Sequence, residues 1–119
     1  MASNLEGSKQ LGLDVYQILR EARASDKRER RDGVRYAFFR PVRIHIGGHR
    51  FSGFSREISE TSIGLLHNAD LTPGEVEVAI ATEQGYSVHI RTQIVWCQPC
   101  GEGSYISGGE FVGMTRIGE

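Results

Sequence analysis

From residue 41 onward, apolar side chains recur at every second position, and this period limits the possible folds more than any other feature of the chain. Successive side chains of a β-strand point to opposite faces, so such alternation marks strands buried on one face only. Val42, Ile44 and Ile46 alternate with Arg43 and His45. The Gly47-Gly48 pair then predicts a two-residue hairpin turn, because glycine accepts positive φ. Phe51, Gly53 and the stretch to Ile58 fit a returning strand. Ile63 to His67 is a short apolar run, followed by turn chemistry at Leu71-Thr72-Pro73-Gly74. Val76, Val78 and Ile80 alternate with Glu77 and Ala79. After the loop Thr82 to Gly85, the residues Tyr86, Val88 and Ile90 alternate with Ser87, His89 and Arg91 in a strand expected to continue to Trp96. A last strand is expected from Tyr105 to Met114. Six short strands joined by glycine-containing turns predict an all-β chain closed into an antiparallel barrel, since closure removes the exposed sheet edges.

Before residue 25 the period is helical. Leu11, Val15, Ile18, Leu19 and Ala22 fall at spacings of three and four, one face of a helix from Leu11 to Ala24. That apolar face needs a partner. Docking on the domain that follows is the expectation, and pairing with the same helix of a second copy, giving a homodimer, is the alternative. The stretch SDKRERRD, Ser25 to Asp32, has no apolar residue to anchor it and reads as an exposed connector. The expected organisation is therefore an N-terminal helical extension over residues 1–26 and a barrel domain over 27–119, with a basic connector at 27–36. A chain of 119 residues has room for one such core.

Composition excludes several classes. No apolar run approaches the roughly 20 residues that cross a bilayer, so no membrane insertion is expected. MASNLEGSKQ lacks the basic and apolar regions of a secretory signal, which makes the cytoplasm the expected location. Cys97-Gln98-Pro99-Cys100 has redox-motif spacing, but Gly101-Glu102-Gly103-Ser104 follows where a helix would be needed, so a strand-end tryptophan and a turn are expected there. The same two cysteines leave a tetrahedral zinc site half built, since His45, His49, His67 and His89 lie singly. No serine sits in a GxSxG turn and no glycine-rich phosphate loop joins a strand to a helix. Neither an enzyme nor a bound cofactor or metal is expected.

What remains is charge. Arg20 to Arg50 holds ten bases and four acids, a net +6, so the rest of the chain carries −7 against the total of −1. Such asymmetry points to an anionic partner at the basic third of the chain. Arg30, Arg31 and Arg35 stand directly before the first strand, and the planar donor fork of arginine suits phosphate oxygens and the O6/N7 edge of guanine. Downstream, Glu57 and Ser59 lie two residues apart, which on a strand turns both to one side. A carboxylate there can accept from the guanine N1 and N2 donors, with a serine completing the contact.

Together these segments resemble the PilZ family, known as receptors for the bacterial second messenger cyclic di-GMP. The resemblance rests on RRxxxR, here Arg30-Arg31-Asp32-Gly33-Val34-Arg35, and on the (D/N)xSxxG motif, written here as an ExSxxS variant in Glu57-Ile58-Ser59-Glu60-Thr61-Ser62. Gly109-Glu110-Phe111-Val112-Gly113 is similar to the family's final strand. The resemblance implies a six-stranded PilZ-like barrel with ligand on its outer surface. It also implies that Arg31 and Arg35 grip guanine and phosphate, that Arg30 adds a phosphate or stacking contact, and that Glu57 and Ser59 meet the guanine edge.

Two departures from the pattern bear on binding. Glu57 replaces Asp or Asn and carries its carboxylate about 1.5 Å further. Ser62 replaces glycine, which at such a turn usually supplies a positive φ or room for close approach, and Gly64 is expected to relieve any strain if the turn shifts by two residues. The leading expectation is a bacterial cytoplasmic sensor that binds cyclic di-GMP and passes a change of shape to a protein effector. The alternative is a degenerate PilZ-like interaction module that binds no nucleotide. Nucleic-acid binding by a basic arm is disfavoured, because the strands show no set of exposed aromatics for stacking bases and Tyr36, Phe38 and Phe39 are expected in the core.

Overall fold

The structure is a computed structural model that describes residues 15–26 and 35–118. Helix α1 covers residues 15–25. Seven strands follow: β1 (Tyr36–Ala37), β2 (Pro41–Ile46), β3 (His49–Ile58), β4 (Ser62–His67), β5 (Gly74–Ala81), β6 (Ser87–Gly101) and β7 (Ser104–Gly118). The sheet order is β1-β3-β2-β5-β6-β7-β4, and a further β3–β4 pairing closes the ring. The result is the anticipated six-stranded antiparallel barrel, β2 to β7, with β1 added beside the end of β3 through Tyr36↔Ile58 and Ala37↔Glu57.

The alternation places one row of each strand inside. Ile44, Ile58, Leu65, Val78, Ile80, Val88, Ile90 and Ile94 are fully buried, and each such side chain contributes about 1.5–3 kcal/mol relative to exposure. Val15, Ile18, Leu19 and Ala22 of α1 belong to the same buried cluster. The described part of the helical stripe thus docks on its own barrel and is not left for a second copy, while residues 11–14 of the expected helix lie outside the described residues. Phe38 is buried and Tyr36 packs on the core, but Phe39 is 69% exposed, stacked face to face on Phe54 with ring centroids 4.9 Å apart.

A polar clasp holds α1 at the barrel end that carries the β5–β6 loop. The Glu21 carboxylate accepts from the Arg40 guanidinium, from Gln17 Nε2 at 2.7 Å and from the Glu83 N–H at 3.0 Å. Arg40 also donates to the Ala81 carbonyl at 2.9 Å and lies 4.4 Å over the Phe38 ring. Beyond the helix, Asp26 Oδ2 accepts from the Ala37 N–H at 2.7 Å. The connector therefore leaves and re-enters the fold at one place.

The β6–β7 hairpin is longer than the alternation suggested. β6 does not end near Trp96 but runs through Cys97 and Cys100 to Gly101, and β7 extends from Ser104 to Gly118 rather than from Tyr105 to Met114. Gly101, Glu102 and Gly103, all at positive φ, make the turn. Only β7 pairs with β6 beyond Ile94, so Pro99, which has no N–H to donate, is tolerated on an edge. Cys97 and Cys100 are free thiols on this edge. No helix among the described residues is long and apolar enough to cross a membrane.

Candidate ligand-binding site

Ring closure sets β3, β4, β7 and β6 side by side and creates a surface that no single motif contains. Glu57 on β3 pairs with Gly64 on β4, Gly64 with Gly108 on β7, and Gly108 with Trp96 on β6. The row reads carboxylate, glycine, glycine, indole. Gly108 is required by contact, since a Cβ there would lie 2.7 Å from Trp96 Cε2. Gly64 is covered on its outer side by the Glu57 and Arg56 side chains, with a Cβ position 3.2 Å from Glu57 Cγ. These two glycines form the floor of a groove of about 110 Å³, walled by Arg35, Glu57, Ser62, Trp96 and Glu110. A space this small admits the edge of one planar ring and no larger group.

A β-bulge aims the acidic wall. The β3–β4 register passes from Ser55↔Leu65 directly to Glu57↔Gly64, so Arg56 is an extra residue. Strict alternation would turn Glu57 inward. With the extra residue, Ser55 and Ile58 both face the core at 0% exposure, and Arg56 and Glu57 both stay on the outer surface. The Glu57 carboxylate accepts from Arg35 Nη1 at 3.1 Å, with the Arg35 side chain 57% exposed.

The (D/N)xSxxG-like segment forms a hairpin turn around Glu60 and Thr61. Ser59 N–H donates to the Ser62 carbonyl at 2.9 Å, and Ser59 Oγ accepts from the Thr61 and Ser62 N–H groups at 3.1 and 3.0 Å. β3 has already ended at Ile58, so Ser59 does not share a strand face with Glu57 but sits buried under the turn. Its hydroxyl meets Ser62 Oγ at 2.8 Å, and Ser62 lines the groove. The anticipated strain at Ser62 is absent: Glu102 is the one described non-glycine residue at positive φ. Ser62 opens β4 in an extended conformation, and Gly64 is a strand residue rather than part of a shifted turn.

Of the anticipated ligand residues, the fold gathers Arg35, Glu57, Ser62 and Gly64 at the groove and holds Ser59 behind it. Arg30 and Arg31 lie outside the described residues. Trp96, Gly108 and Glu110 are site residues that sequence reasoning missed. The one available signal was a lone tryptophan on a strand whose pairing partner carries a Gly-Gly pair.

The pattern of the PilZ domain matches residues 29–118, most of the chain. The chain belongs to the PilZ domain family. PilZ domains are binding and regulatory modules rather than enzymes. No curated protein matches the chain. Among solved structures it is similar to the Bacillus subtilis inhibitor of motility MotI/DgrA, with a TM-score of 0.58 and 15% sequence identity. The likeness covers 74% of this chain and 45% of that one, so the chain spans less than half the length of that structure. At this identity the likeness is one of fold.

Proposed function

We propose that this PilZ domain is a sensor of cyclic di-GMP that binds the dinucleotide across the glycine-floored groove and under the arginine connector. The observation that carries this reading is the meeting of Arg35 and Glu57 beside Gly64 and Gly108. A donor fork and an acceptor carboxylate beside two glycines match the hydrogen-bonding edge of a guanine. The Glu57 carboxylate accepts from guanine N1 and N2, the arginines hold phosphate oxygens and O6/N7, and the Trp96 indole offers a face for stacking. Ser59 acts behind this surface, holding the turn that presents Ser62.

Binding engages the connector. Its ends are joined by the Asp26–Ala37 hydrogen bond, so a ligand that grips Arg30 and Arg31 alters the surface between α1 and the barrel. A protein effector reading that surface receives the signal.

The second reading, an interaction module without nucleotide, draws on the same ion pair, because Arg35 and Glu57 already satisfy each other. Its strength decides little: an exposed pair is worth about 0–1 kcal/mol, which a charged ligand readily displaces. Calorimetric titration with cyclic di-GMP separates the two readings, with GTP as control and Arg31→Ala and Arg35→Ala in parallel. Binding in the micromolar range or tighter, lost in both variants, supports the sensor. Absence of heat together with an unchanged melting temperature at saturating ligand establishes the interaction module. Preference for RNA, weakening steeply with salt, would assign the basic arm to nucleic acid instead.

A further inference from the structure

Arg56 is the residue that the β-bulge inserts, and no motif accounts for it. A bulge forgoes a regular ladder pairing, and here it places a guanidinium and a carboxylate next to each other on the outer surface at Arg56 and Glu57. The glycine at 64 has no side chain of its own there, and Arg56 Nη1 lies over it beside Glu57, 3.1 Å from where a Cβ would stand. Glu57 bonds Arg35, not Arg56. Among the described residues Arg56 has neither an ion pair nor a side-chain hydrogen bond, although its side chain is only partly exposed. Beside Gly64 at the edge of the groove, it is a cation that no described carboxylate neutralises.

Charge gives that cation a task. The groove walls carry one described cation, Arg35, and two carboxylates, Glu57 and Glu110, a net −1 facing a ligand with two phosphate charges. Arg56 brings the balance to zero before the connector arginines add their own. We infer that Arg56 is a ligand-binding residue of this site, its guanidinium donating to a phosphate of the dinucleotide on the β3–β4 side of the groove. The inference rests on the cyclic di-GMP reading. It adds a fourth arginine position, built into the barrel, to Arg30, Arg31 and Arg35 before it.

The test is calorimetric titration of the full chain with cyclic di-GMP at low and high salt, for the unchanged protein, Arg56→Ala, Arg56→Lys and Arg35→Ala, each with its urea unfolding curve. Loss of a charge-assisted hydrogen bond predicts affinity lowered about tenfold or more in Arg56→Ala. Its salt dependence should be shallower, its unfolding midpoint unchanged, and Lys should restore part of the loss. Unchanged affinity and salt dependence in Arg56→Ala, with binding lost in Arg35→Ala, would overturn the role of Arg56 and leave the sensor standing. Weaker binding that follows a lowered unfolding midpoint, with the salt dependence intact, would also overturn it, since Arg56 would then support the fold. No binding by the unchanged protein removes the sensor reading and this inference with it.

Discussion

Removing the Glu21 carboxylate should detach α1 from the barrel end and cost a large share of the stability. The side chain is 5% exposed and pairs with Arg40, whose own side chain is 19% exposed. Breaking a buried ion pair from one side costs about 3–5 kcal/mol, because the partner's charge is stranded. Arg40 is not stranded completely: it keeps the Ala81 carbonyl, the Phe38 ring and the Glu83 carboxylate at 3.5 Å. The Glu83 N–H that loses its acceptor belongs to an exposed residue, where water replaces the carboxylate. These remnants lower the expectation for Glu21→Ala to about 2–3 kcal/mol. Urea unfolding would register this as a midpoint roughly 1–2 M lower.

The pH dependence offers an independent check on the same clasp. Burial alone pushes the Glu21 carboxyl up, but hydrogen bonds from Arg40, Gln17 and the Glu83 N–H, with the Arg40 charge, outweigh it and hold it below its ordinary value of 4.5. On acidification the unfolded chain therefore takes up the proton first. The stability from this carboxylate is complete above the ordinary value and is lost as pH falls through the folded one. Glu21→Gln should flatten that acid limb. A loss below about 0.5 kcal/mol in Glu21→Ala, the level of an ordinary surface substitution, would refute the reasoning. So would an acid limb in Glu21→Gln as steep as that of the unchanged chain.

Trp96 is the sole tryptophan, so its emission reports the groove directly. Cyclic di-GMP should shift that emission, and Trp96→Ala should weaken binding by about 1–3 kcal/mol if the indole stacks on a base; an unaltered spectrum at saturation would place the ligand elsewhere. Ser62→Gly, which restores the usual motif glycine, should destabilise by about 0.5–1.5 kcal/mol, since it removes the Ser59–Ser62 hydrogen bond and relieves no backbone strain; a gain in thermal stability would contradict this. His67 is buried inside the barrel, where its Nδ1–H donates to the Ala69 carbonyl and Nε2 accepts from the Ser107 hydroxyl, each at 2.8 Å. Burial lowers its pKa from 6.5 against the opposing pull of the Ala69 carbonyl. Stability from neutral His67 is thus complete above about pH 6.5 and declines as pH falls toward the folded value. Urea midpoints across this range should decline in the unchanged chain and stay level in His67→Gln.

The basic third of the chain shows how charge counting and structure diverge. Ten bases between Arg20 and Arg50 pointed to an anionic partner, yet Arg40 is spent on Glu21 and Glu83, and Arg35 is held by Glu57 until a ligand competes. Their acidic partners lie 19, 43 and 22 positions away. Arg56, outside that segment, is a cation beside the groove with no ion pair among the described residues. Linear spacing cannot assign such pairs, because it does not say which strands become neighbours.

Period-two alternation and glycine turns determined the strand content, the hairpins and the inward rows, since each depends on geometry repeated within a few residues. RRxxxR and the Glu57 to Ser62 segment determined the family resemblance for the same reason. Only the tertiary structure decided the groove. Glu57, Gly64, Gly108 and Trp96 share a row because β4 pairs with β3 on one side and β7 on the other. The bulge at Arg56 is equally non-local, for it arises where Ser55 and Ile58 must both reach the core while β3 stays in register with β4. Alternation says which side chains share a strand face. Closure of the ring decides which faces meet.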